Sequence, residues 1–114
     1  MSILNRCIFQ AASGGAGDFV EVGALLGYQT MESAGSINGT VYGYAAQSSD
    51  LTQWEYGEGA YSSTGPTLQR TTVWGNSLGT TARINFTNPP QVMLSPLAVD
   101  LVSWSFLQAN LGGL

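Results

Sequence analysis

Trp54-Glu55-Tyr56-Gly57-Glu58-Gly59-Ala60-Tyr61 and, after a short break, Thr67-Leu68-Gln69-Arg70-Thr71-Thr72-Val73-Trp74 decide the fold. Large and small residues alternate with period two in the first run, the pattern of a half-buried strand. That alternation sets Trp54 and Tyr56 on one side and Glu55 and Gly57 on the other. Ser62-Ser63-Thr64-Gly65-Pro66 is a turn cluster, so the second run returns as the partner of a hairpin. Its expected face combines Leu68 with the Thr72–Trp74 series.

Outward from the hairpin, the same punctuation continues. Thr40-Val41-Tyr42-Gly43-Tyr44-Ala45-Ala46 alternates, with Val41 and Gly43 opposite Tyr42 and Tyr44, and it follows the turn dipeptide Asn38-Gly39. Met31–Ala34 is expected as a single helical turn ended by Gly35. Upstream, Ile3–Gln10 and Asp18–Val22 read as strands around the glycine-rich run Ala12–Gly17. Downstream, Ala82–Phe86 alternates until Asn88-Pro89-Pro90, and Gln91–Leu94 is the last strand of the body. About seven short strands divided by fifteen glycines and their turns predict an all-β domain over residues 1–95. The expected architecture is a β-sandwich, jelly-roll or Greek-key-like, with a small Greek-key barrel equally compatible with the spacing.

A different segment, residues 96–114, begins at Pro96. Leu97, Leu101, Trp104 and Leu111 fit one helical face, while Val99, Val102 and Phe106 make the other side apolar as well. Such a tail needs something to pack on: either the open end of the sandwich in its own subunit, or another subunit or a partner protein, with Leu97, Leu101, Val102, Trp104, Phe106, Leu107 and Leu111 as the expected oligomer or partner contacts. With Asp100, Gln108 and Asn110 inside it, the segment is too short and too polar to be read as a membrane span. No secretory signal is read at the N-terminus, where a charged region and a continuous apolar stretch are both missing. Synthesis in the cytoplasm is the corresponding expectation.

Composition narrows the chemistry. The 114 residues hold seven acids, three arginines, no lysine and no histidine. Charged residues are 9% of the chain, against about 25% in an average soluble domain. Without histidine or lysine, imidazole triads, Schiff-base sites and a P-loop cannot be built, so Ala12–Gly17 reads as a turn. A net charge of -4 with three scattered arginines argues against a nucleic-acid partner. Cys7 is alone and reads as a buried thiol that packs as a small hydrophobe. Asp18, Glu21 and Asp50 lack the spacing of a calcium loop, and no metal or cofactor is expected.

Three candidate constellations remain in the body. Glu55 and Glu58 could be cast as the acid pair of a glycosidase, but on a strand they face opposite ways and read as solvent-side charges of an edge hairpin. Arg70 suits a cross-strand ion pair with one of them better than an anion clamp. Trp54, Tyr56, Tyr61 and Trp74 offer amphipathic rings for stacking on a saccharide, with core or subunit packing as the competing reading.

Trp54-Glu55-x-Gly57-x-Gly59-x-Tyr61, then Thr67-Leu68-x-Arg70-Thr71-Thr72-Val73, then Ile84-Asn85-Phe86 resembles a small structural module of tailed-bacteriophage and gene-transfer-agent virions. Asn5-Arg6 and Tyr42-Gly43-Tyr44-Ala45 extend the resemblance over roughly residues 5 to 94. It implies a non-enzymatic piece of fibres and spikes. As a short protein of its own, it resembles the base that attaches a head spike to the capsid. The implied partners are further copies of itself in a pentamer or a trimer, a capsid protein, and a spike or fibre protein. The implied location is the particle surface, on the head. A fibre or decoration module that binds host saccharide is the alternative.

Overall fold

In a computed structural model, residues 4–94 are described. They form β1 (Ile8–Ala11), β2 (Phe19–Ala24), β3 (Val41–Gln47), β4 (Trp54–Ser62), β5 (Thr67–Leu68), β6 (Thr72–Asn76) and β7 (Gln91–Met93), with no helix among the described residues. Every pairing between these strands is antiparallel. The pairings run β3–β7–β1–β2–β5–β4 and return to β3, while β6 lies on β4. The expected all-β, sandwich-like body is thus present, and two-residue β5 bridges β2 and β4 to close it. Closure removes most of the edges along which strands of other chains would pair.

The deciding hairpin forms, with an interruption that its sequence conceals. Tyr61 and Ser62 pair with Leu68 and Thr67, whereas Glu55–Glu58 pair with Thr72–Asn76. Between them Gln69–Thr71 leave the ladder, held by Gln69 N–H donating to Ala60 O at 2.9 Å and Ala60 N–H to Thr71 Oγ1 at 3.3 Å. The break resets the alternation, so Leu68 is buried and Thr72 exposed, and the expectation of one shared face is corrected. Gly57 and Gly59 are what permit the close crossing. A Cβ on Gly57 would lie 2.0 Å from Thr72 O, and one on Gly59 only 1.6 Å from Gln69 O.

The core gathers Phe9, Phe19, Met31, Tyr44, Leu68, Phe86, Val92 and Leu94. Phe19 meets Tyr44 edge-on, with ring centroids 5.5 Å apart. Met31–Gly35 make a single turn, with Ala34 N–H donating to Thr30 O, and Gly35 takes the positive φ that ends it. Of the strand expected over Ile3–Gln10, the described part is corrected to a start at Ile8, with Asn5 and Arg6 in a turn. Ala82–Phe86 is corrected as well: Ile84 and Phe86 are buried as the alternation requires, but the segment is not a strand. The Ile84 N–H and carbonyl are taken by the side chains of Glu55 and Arg70, and the backbone pairing of the segment is reduced to an isolated antiparallel bridge between Phe86 and Gly15.

Two strands carry inverted polarity. β2 turns Phe19 and Glu21 inward and Val20 and Val22 outward; β4 turns Glu55 inward and Trp54 and Tyr56 outward. Glu55 is 1% exposed, which corrects its reading as a solvent-side charge. The expected docking segment 96–114, with Leu97, Leu101, Val102, Trp104, Phe106, Leu107 and Leu111, lies outside the described residues.

Candidate functional site

The motif residues converge on one buried ion pair. The unladdered stretch Gln69–Thr71 turns Arg70 beneath β4, where Gly57 and Gly59 leave room for its backbone, and the guanidinium meets the Glu55 carboxylate. Both side chains are fully buried. Arg70 Nε donates to Glu55 Oε2 at 2.8 Å and Nη2 to Glu55 Oε1. Nη2 also donates to Ile84 O at 2.7 Å, and Nη1 to Gly15 O and Gly17 O at 3.1 and 3.2 Å. All five guanidinium N–H groups are thereby used.

The carboxylate is equally engaged. Tyr44 O–H donates to Glu55 Oε2 at 2.6 Å and Ile84 N–H to Oε1 at 2.8 Å, so each oxygen accepts two hydrogen bonds. The rings of Phe19 and Phe86 lie 4.7 and 5.5 Å from the guanidinium carbon. Burial together with the neighbouring carboxylate pushes the Tyr44 hydroxyl far above its ordinary range. The arrangement ties β3, β4, the 15–17 loop and the 84–86 segment to one point. It presents no free lone pair or proton to a substrate, so chemically it is a strut.

Its polarity also explains the glycine-rich run. A phosphate cradle aims backbone N–H groups at an anion, whereas here the Gly15 and Gly17 carbonyls point at a cation, and the Ala16 carbonyl accepts from Arg83 Nη1. The expected ion pair is formed with Glu55. Glu58, on the opposite face of β4, takes no part in it.

The outer face of the sheet is the open feature. Register aligns Leu25, Ile8, Met93, Ala45 and Tyr56 in one row across five strands or their ends, and Gln10, Gln91, Gln47 and Trp54 in the next. Between them runs a groove of about 440 Å³. Trp54 and Tyr56 are 42% and 40% exposed, and their rings lie nearly parallel with centroids 6.3 Å apart. Tyr56 also spreads over Gly75, where a Cβ would come within 2.5 Å of its hydroxyl.

Of the four rings considered for stacking, this face holds Trp54 and Tyr56 alone. Tyr61 is 4% exposed in the core, which corrects its inclusion. Trp74 is the extra residue of a β-bulge, between Tyr56↔Gly75 and Gly57↔Val73, and does not line the groove. Gln47, Gln91, Ala45 and Met93 were not singled out in the sequence. The alternation of Thr40–Ala46 and Gln91–Leu94 carried the signal, but which strands lie side by side is not local information.

Elsewhere, burial and the nearby Glu21 push the Cys7 thiol up to about 12, so it is held protonated. Glu21 accepts the Met31 N–H at 3.0 Å, and desolvation raises its carboxyl above the ordinary range. Asp50 is held down to about 2 by Ser48 Oγ, Thr52 Oγ1 and Thr52 N–H. Among the described residues no three His, Cys, Asp or Glu side chains cluster as metal ligands. Searched against models of known protein families, curated proteins and solved structures, the chain matches none.

Proposed function

We propose that this chain is a non-enzymatic structural protein of a virion, the head spike base that fixes a spike or fibre to a capsid vertex as a homo-oligomer. The observation that carries the reading is the inverted polarity of β2 and β4, which bury Glu21 and Glu55 while exposing Val20, Val22, Trp54 and Tyr56. Apolar outward faces on a chain with so few charges suit a subunit covered by copies of itself and by partners. The residues of the resemblance support it in a second way. Glu55, Gly57, Gly59, Arg70, Ile84 and Phe86 all serve the buried strut, so the motif they share encodes a framework. In this reading the strut keeps the body rigid under load, and cyclic self-association sets its copies around the vertex.

The test is to image particles assembled with and without the chain. Intact heads that lack spikes are the expected result, and spikes that persist without it overturn the proposal. A second reading, a module that binds host saccharide, is favoured by Trp54 and Tyr56 lying exposed beside the Gln47 and Gln91 amides. Titration with host polysaccharide fragments decides it: binding that Trp54→Ala abolishes supports it, and absence of heat removes it.

A further inference from the structure

We propose that Asn38 is a site of spontaneous covalent modification, conversion to isoaspartate, and that the C-terminal end of β4 gates it. This goes beyond the virion reading and does not depend on it. Of the six asparagines only Asn38 is followed by glycine, the neighbour that hinders attack by its own backbone nitrogen least. Both residues are exposed. The reaction joins Gly39 N to Asn38 Cγ, and Nδ2 leaves as ammonia with the proton that Gly39 N gives up. Water then opens the cyclic imide at either carbonyl, which yields aspartate or isoaspartate.

The fold holds both reacting atoms. Gly39 takes φ 86° in a turn closed by Thr40 N–H on Ile37 O at 3.0 Å, and its own N–H donates to Tyr61 O at 2.8 Å. Shedding that proton in place would set an anionic nitrogen against the Tyr61 carbonyl oxygen, so this bond must open before attack. Asn38 Oδ1 accepts from Ser63 N–H at 2.9 Å and Ser63 Oγ at 3.4 Å, which pins the carboxamide to the turn after β4, while among the described residues no hydrogen bond holds Nδ2. Asn76, followed by serine, is locked at both ends: it is 4% exposed, its Oδ1 takes the Leu78 and Thr80 N–H groups, and its Nδ2 donates to Thr80 Oγ1 and Ala82 O. Isoaspartate adds one carbon to the main chain ahead of Thr40, whose carbonyl accepts Tyr61 N–H at 2.9 Å, so the change falls where the β3–β4 ladder begins.

The experiment incubates the full chain at mildly alkaline pH, native and unfolded in urea, and follows each asparagine by peptide mapping with isoaspartate quantified by enzymatic carboxyl methylation. In urea Asn38 is expected to convert first. In the native chain it should convert about tenfold more slowly or less, since the net worth of one backbone hydrogen bond that must open corresponds to about tenfold in rate. Ser63→Pro removes both donors to Asn38 Oδ1 at a residue outside the strand ladders, and the folded variant should convert severalfold faster than the native chain. Another asparagine leading in urea would overturn the site. Equal rates in buffer and urea would overturn the gate, as would an unchanged or slower rate in folded Ser63→Pro, where the Ser63 donors would then be assisting the attack; if that variant does not fold, the urea comparison alone decides. None of these rates depends on what the chain assembles with, so the virion reading and this one fail independently.

Discussion

Replacing Arg70 by Met isolates what the buried strut contributes. The substitution keeps a long apolar stem between Phe19 and Phe86 but removes five N–H donors. Glu55 then sits fully buried with only Tyr44 O–H and Ile84 N–H, and the carbonyls of Gly15, Gly17 and Ile84 lose their donor. Removing one partner of a buried pair costs about 3–5 kcal/mol, because the remaining charge stays uncompensated. A domain of this size has about 5–15 kcal/mol in total, so Arg70→Met should lower Tm by about 15–25 °C. Urea unfolding followed by tryptophan fluorescence measures the loss. In a double-mutant cycle with Glu55→Gln, the two losses should fall short of additivity by about 2 kcal/mol or more. A loss under about 1 kcal/mol, or additivity within about 0.5 kcal/mol, would refute the strut.

Gly59→Ala drives a Cβ into the Gln69 carbonyl and should cost about 3 kcal/mol; Gly75→Ala meets the half-exposed Tyr56 ring, which can move, and should cost about 1 kcal/mol. Equal losses in urea unfolding would reject the close backbone crossing as the reason for Gly59. Glu21 has a raised carboxyl in the fold, so its share of stability is whole below the unfolded value near 4.5 and declines as pH rises through the folded value. Glu21→Gln should therefore flatten the fall of Tm above pH 4.5, and an unchanged profile would contradict the burial argument. Asp50 works in the opposite sense: its share is present above 3.8 and is lost as pH falls toward 2, so Asp50→Asn should remove acid sensitivity from that window in a thermal melt series.

The strand content was legible because alternation is local. Val41–Gln47 and Trp54–Ser62 fall where the period-two runs predict them, and the turn at Ser62–Pro66 carries its own chemistry. Polarity misled at Glu55, since no local rule says that a carboxylate in a strand has an arginine waiting fifteen residues later beneath two glycines. The ion pair itself was readable from residue types; its burial was not, because the Gln69–Thr71 break that turns Arg70 inward leaves no periodic trace. The same break splits one expected strand into β5 and β6, while Ile84 loses its ladder to two side chains. The strand count therefore matches although its membership differs. At the candidate site, Trp54 and Tyr56 announced themselves by exposure-compatible alternation, but the Gln47–Gln91 and Ala45–Met93 neighbours exist only through the β3–β7 pairing.

The central functional claim is that the chain works as a subunit whose apolar outer surface is covered by copies and partners. Native mass at low micromolar concentration, by light scattering or native mass spectrometry, tests it most directly. The account predicts a closed oligomer, five times the 12.0 kDa chain for a vertex base or three times for a fibre base. A stable monomer of 12.0 kDa would contradict it.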